Sequence, residues 1–133
     1  MRTINKCALF LIRNKKLLLS REPNDNRFLT IGGKFEEGEN DLQCLQRELI
    51  EEVGTIAKEE TLKFMNEFSY ETGEMSLHIR AYTGELKNEP HTTKDIEELK
   101  WFSRENLEAA PVEIVTPITK QKILPFLIER GLI

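Results

Sequence analysis

Gly33-Lys34-Phe35-Glu36-Glu37-Gly38-Glu39-Asn40-Asp41-Leu42-Gln43-Cys44-Leu45-Gln46-Arg47-Glu48-Leu49-Ile50-Glu51-Glu52-Val53-Gly54-Thr55 is the stretch from which the rest of the chain can be read. From Asn40 to Val53 the apolar residues Leu42, Leu45, Leu49 and Val53 recur at steps of three and four, the spacing of one helix face, while Glu48, Glu51 and Glu52 fall on another. Asn40 is placed to cap the first turn, and Gly54 to end the helix in the left-handed conformation that a Cβ penalises. Residues three and four apart on a helix have Cβ atoms about 5–6 Å from each other, so the three glutamates repel. A solvated helix face carries charge of this kind without any function. The alternative is a hard divalent cation, which prefers oxygen ligands and turns the repulsion into a binding site.

Working outward toward the N-terminus, Phe28-Leu29-Thr30-Ile31 reads as a strand that runs into Gly32-Gly33, a pair that licenses unusual backbone angles and so predicts a loop. Cys7 to Ile12 and Lys16 to Arg21 read as two strands of a hairpin turning at Arg13-Asn14-Lys15, and Glu22 to Asn26 is dense in turn formers. Toward the C-terminus, Leu62 to Tyr70 and Met75 to Leu86 predict a second hairpin around Glu71-Thr72-Gly73-Glu74. Asn88 to Thr93 reads as a loop and Leu99 to Phe102 as a short strand, with Ser103 capping a brief helix through Ala109. Thr116 and Pro117 open a last helical segment, which Pro125 should kink or divide by removing a hydrogen bond from its interior.

The 133 residues are the length of one domain with one core, and the formal charge of −4 offers no basic footprint for nucleic-acid phosphates. Long nucleic acid is therefore not an expected partner. A small anion remains compatible with the charge, because a bound cation reverses the local field of a carboxylate cluster. Cys7 and Cys44 fall in apolar segments and read as reduced core thiols. His78 and His91 lack companions at ligand spacing, which argues against zinc, and no P-loop pattern is present. No apolar run reaches the length of a membrane span, and Met1 to Lys6 lacks a signal-peptide apolar region; a cytoplasmic location is the expectation.

The opening stretch resembles the Nudix box, G-x5-E-x7-R-E-U-x-E-E-x-G-U with U aliphatic. Gly33, Glu39, Arg47, Glu48, Leu49, Glu51, Glu52 and Gly54 all fall in place, and only the last aliphatic position departs, being Thr55. Seven fixed identities at fixed spacing arise by chance on the order of once in ten million starting points. The resemblance implies a single Nudix hydrolase domain over residues 1–133 with an α+β fold, a mixed curled β-sheet sandwiched between α-helices. It implies hydrolysis of the diphosphate link in a nucleoside diphosphate derivative, with Mg²⁺ or Mn²⁺ as cofactor and water attacking phosphorus.

By the same resemblance, the Gly33 backbone oxygen and the carboxylates of Glu48, Glu51 and Glu52 are the expected metal ligands. Glu39 and Arg47 are expected to hold the loop against the helix, a role that suits the planar fork of an arginine. The family differs on the general base, so the box glutamates and a downstream loop acid both stay open. Asp95 occupies the place of that acid, with Glu97 and Glu98 as rivals. Arg21 and Lys34 could meet substrate phosphates. Phe28 and Phe35 could stack on a base, although Phe28 suits the core better. Trp101-Phe102 resembles a packing pair that ends the family's last strand.

The compact length favours a MutT-like enzyme acting on ordinary or oxidised (d)NTPs. ADP-ribose, sugar nucleotides and dinucleoside polyphosphates are alternatives, and Tyr70 lies one position early for the tyrosine that marks one subfamily. A nucleotide-sensing module without catalysis is the rival from another class, and a carboxylate cluster that merely buffers calcium is a third. Homodimers are frequent in the family, so a homodimer is compatible with the resemblance. Ile31 stands where relatives often have proline, which bears on loop rigidity.

Overall fold

The computed structural model describes residues 1–133. Its centre is β1 (Arg2–Phe10), which pairs antiparallel with β4 (Phe28–Lys34) on one side and parallel with β6 (Met75–Thr83) on the other. The expected start at Cys7 is five residues late. The parallel ladder begins at Arg2 opposite Met75, and backbone pairing is indifferent to the polar, exposed side chains of that first half, which therefore gave no hydrophobic signal. The expected end at Ile12 also shifts, because Ile12–Arg13 forms a separate short strand, β2, hairpinned to β3 (Lys16–Arg21). Asn14 and Lys15 turn the hairpin with φ of 52° and 59°, the positive values that a two-residue turn needs to match strand twist.

Pairing runs β2-β3-β4-β1-β6-β5, with β5 (Lys63–Glu71) antiparallel to β6 and β7 (Glu98–Phe102) added antiparallel to β3. β6 stops at Thr83, short of the expected Leu86, which makes only an isolated bridge to Ala57. Gly32 and Gly33 are part of β4, where a loop was expected. The glycines serve close approach rather than a turn. With φ of 142°, Gly32 lies opposite Ala8, and a Cβ there would collide with the Cys7 carbonyl.

Alternation sorts the strand residues onto two faces. Ala8, Phe10, Leu17, Leu19 and Ile79 pack beneath α2 (Arg104–Ala109) and α3 (Leu124–Glu129), whereas Cys7, Leu9, Leu18 and Ile31 pack beneath α1 (Asp41–Val53). The mixed sheet is thus sandwiched between helices, as the resemblance implied. Cys44, Leu45, Leu49 and Val53 are fully buried from α1, each leucine contributing about 1.5–3 kcal/mol through area removed from water. Asn40 caps α1 through a reciprocal pair of bonds with Gln43, and Gly54 closes it at φ 75°. Ser103 and Asn106 cap α2 in the same way.

The last helical segment is divided where Pro125 demanded it. Before the proline, Thr119–Ile123 widens into a π-turn in which the Leu124 N–H reaches back to the Thr119 carbonyl. Lys120 donates from its ammonium to the Leu107 and Glu108 carbonyls at 2.7 and 3.1 Å, and to that of Ala110, which satisfies the open end of α2.

The segment between β6 and β7 is tied to the C-terminal end of α1. The His91 N–H donates to the Val53 carbonyl at 3.1 Å, Thr55 Oγ1 donates to Asn88 Oδ1 at 3.2 Å, and the Thr93 hydroxyl donates to the Glu51 carbonyl. Thr93 Oγ1 also accepts from the Asp95 N–H at 3.2 Å, and Ile96 is buried. Asp95 is brought to the acidic end of the helix by these bonds.

Candidate active site

Arg47 is the hub of the box. Its Nε donates to Glu39 Oε2 at 2.7 Å and one terminal nitrogen to Glu39 Oε1 at 2.9 Å, a bidentate grip; that same nitrogen reaches the Lys34 carbonyl at 2.9 Å. The other terminal nitrogen donates to Glu48 Oε1 at 2.7 Å. Helix α1, the end of β4 and the intervening loop are clamped together by one side chain. The guanidinium, with help from the Glu36 N–H, holds the Glu39 carboxyl down at about 2. Its own proton is held more tightly than usual in return, Glu39 being the main cause.

The carboxylates differ in setting. Glu51 is 46% exposed and Glu48 12%. Burial raises the Glu48 carboxyl above its ordinary range while Arg47 opposes the shift. Glu52 accepts the Gly32 N–H at 3.2 Å and is half-buried between the two cavities it lines; burial pushes it up to about 8 against that single hydrogen bond. The Glu48 carboxylate lies over the Gly33 Cα, where a side chain would occupy its place.

Three adjoining cavities open here. The first, of about 350 Å³, is lined by Lys6, Ser20, Glu22, Gly33, Glu48 and Glu52 among others. The second, about 390 Å³, has no apolar lining and brings Glu22, Glu48, Glu51, Glu52, Lys94 and Asp95 together. The third, about 380 Å³, is half apolar, with Leu29, Tyr70, Leu77, Ile79 and Ile118 in its wall. Lys6, Leu29, Thr30 and Lys34 line both the first and the third.

The structure thus gathers Glu48, Glu51, Glu52 and Asp95 about one space, with Gly33 and Lys34 beside it. Glu39 and Arg47 lie behind as the brace. The donor set is entirely oxygen, which fits a hard divalent cation, and a carboxyl whose charged form is disfavoured by burial, as that of Glu52 is, is one that a cation would relieve. No three of these side chains yet stand at mutual ligating distance, since Glu48 is turned to Arg47 and Glu52 to Gly32.

Several expectations are corrected. The Gly33 carbonyl lies 3.7 Å from both the Cys7 and Cys44 sulfurs, so it faces the buried thiol pair. Both thiols are free, 2.7 Å apart, and burial raises both. Arg21 lines no part of these cavities, because its guanidinium is engaged by Glu98 at 3.3 Å and the Asp25 carbonyl at 3.0 Å. Phe28 is buried edge-on against Phe102, with centroids 5.1 Å apart, and Phe35, half-buried against the core beneath α1, lines none of the three cavities. Glu98 is spent on Arg21, and Glu97 belongs to none of the cavity walls.

Lys6 and Glu22 also line the first cavity. Neither has a spacing signal, since Lys6 reaches the site through sheet register and Glu22 by following β3 into a turn. Burial holds the Lys6 ammonium below the ordinary lysine range, with Glu52 opposing.

Residues 2–121 match the family described as the NUDIX domain. The NAD-capped RNA hydrolase NudC of Stutzerimonas stutzeri (strain A1501) is 30% identical over 124 residues, 91% of this chain and 41% of that protein. The chain therefore spans about two fifths of the length of this curated relative. Among solved structures, the E. coli ORF135 protein superposes with a TM-score of 0.76 at 25% identity, covering 98% of this chain and 93% of that one. The MutT protein from Methanosarcina mazei gives 0.78 at 18% identity, covering 97% and 96%. With the box clamped as Arg47 clamps it and the match running along nearly the whole sequence, the chain belongs to the NUDIX family.

Proposed function

We propose that this hydrolase is MutT-like and cleaves the diphosphate link of a nucleoside triphosphate, ordinary or oxidised, with Mg²⁺ or Mn²⁺ held by Glu48, Glu51 and Glu52. The observation that carries the reading is the convergence of these three carboxylates and Asp95 on one polar cavity that continues into a half-apolar one. When bound, a divalent cation supplies charge neutralisation for the diphosphate oxygens and acidifies water. The chain's own residues do the rest. Arg47 fixes the direction of Glu48 and holds the loop through Glu39. Asp95 makes no ion pair, is fixed by Thr93, and is the carboxylate we assign to take the proton from the attacking water. The half-apolar cavity takes the nucleoside, with Tyr70, Leu77 and Ile118 excluding water from it.

A second reading, cleavage of a dinucleotide-type diphosphate, draws support from the relative named as an NAD-capped RNA hydrolase. One experiment separates the readings. Phosphate, pyrophosphate and nucleotide products are followed in Mg²⁺ for ordinary and oxidised (d)NTPs, ADP-ribose, sugar nucleotides, NAD and dinucleoside polyphosphates. Turnover of a triphosphate to monophosphate and pyrophosphate is expected, falling at least about 10²-fold in Glu52→Gln. Turnover confined to the other substrates would replace this reading with the second.

A further inference from the structure

Halfway along β1, Lys6 is registered directly opposite Lys34 on β4. Directly opposed residues point to the same face of a sheet, and like charges in that arrangement destabilise it. Neither ammonium has the relief of an ion pair, although three carboxylates line the same cavity. Glu48 is held by Arg47, Glu52 accepts from Gly32, and Glu22 stays unengaged by either lysine. Lys6 is half-buried, so its charge is not left to bulk water. Both lysines occur in the walls of the first and third cavities and in neither case with the second. They stand at the junction between the half-apolar space and the carboxylate space.

We propose that Lys6 is a substrate-positioning residue, gripping together with Lys34 the phosphate that joins the organic part of the substrate to its phosphate chain. The inference rests on the nucleoside-phosphate reading above and assigns the point at which the substrate crosses from one cavity to the next. A phosphate presents two or more anionic oxygens and so answers two adjacent ammonium groups at once. Its arrival replaces a like-charge repulsion by two charge-assisted contacts, and a ligand with an uncharged group at the junction leaves the repulsion standing. Lys6 therefore selects for substrates in which the apolar group is followed immediately by a phosphate.

The test compares wild type with Lys6→Met, Lys6→Gln and Lys6→Arg. Binding of the α,β-methylene analogues of ATP, GTP, CTP and UTP and of ADP-ribose is measured by calorimetry in Mg²⁺, and steady-state kinetics are measured on whichever substrate the wild type hydrolyses. Both neutral variants are expected to raise Kd and KM at least about tenfold while kcat changes by less than about threefold, with Lys6→Arg recovering most of the loss. Unchanged Kd and KM in folded Lys6→Met or Lys6→Gln would overturn the assignment and leave the hydrolase reading intact. Lys6-dependent binding without turnover by the wild type would sink the hydrolase reading and support the assignment. Absence of binding by every probe would overturn both.

Discussion

Arg47 does the work of several residues because one guanidinium reaches two oxygens of Glu39, one of Glu48 and the Lys34 carbonyl. A lysine carries the same charge but lacks the fork. Arg47→Lys should lower unfolding stability by about 1.5–3 kcal/mol, read by urea denaturation, and should cut kcat because Glu48 loses its fixed direction. Wild-type stability in that variant would show that the fork is dispensable. This residue and its partners were legible because local helical spacing and the box pattern place them without reference to any other strand. Lys6, Glu22 and Thr30 were not, since only strand pairing puts them against the carboxylates. Phe28 shows the opposite case, in which aromatic chemistry suggests stacking and the strand has already turned the ring into the core.

At the scale of elements, two glycines differ in what an added side chain would meet. A Cβ on Gly32 would strike the Cys7 carbonyl, a main-chain atom inside a paired strand, whereas one on Gly54 would strike the His91 ring, which can move aside. Gly54→Ala should therefore cost about 1–2 kcal/mol from its left-handed backbone, and Gly32→Ala should cost more than Gly54→Ala, with loss of β1–β4 pairing. Chemical denaturation of the two variants side by side checks the order, and equal losses would contradict the packing argument. Both ends of α1 were readable from Asn40 and Gly54, because caps are local chemistry. The start of β1 was not, because a strand's extent is set by its partner: Arg2 to Asn5 belong to it on account of Met75 to His78.

For the molecule as a whole, the buried carboxyl and the clamped one pull stability in opposite directions with pH. Glu39, lowered from 4.5 to about 2, contributes stability that is present above 4.5 and is lost as pH falls through about 2. Glu52, raised from 4.5 to about 8, contributes stability that is fully present below 4.5 and is lost as pH rises through about 8. Metal-free protein in EDTA should accordingly show its thermal midpoint declining between pH 4.5 and 8, with the decline flattened in Glu52→Gln and offset by Mg²⁺ or Mn²⁺. A decline that persists unchanged in Glu52→Gln would assign it to other groups. The order of the longer strands and helices was readable, whereas the short β2 and the parallel pairing of β1 with β6 have no local sign, and it is the latter pairing that sets the order in which the molecule can be assembled. A hairpin or a helix closes by a short search, but joining Arg2 to Met75 requires the whole intervening chain to be looped, an entropic cost incurred before any bond rewards it. During synthesis the residues of α1 are made before those of Met75–Thr83. The residues of the acidic helix face are already present when the strand that completes the central sheet is made, so the cleft wall contributed by Leu77 and Ile79 can form only late.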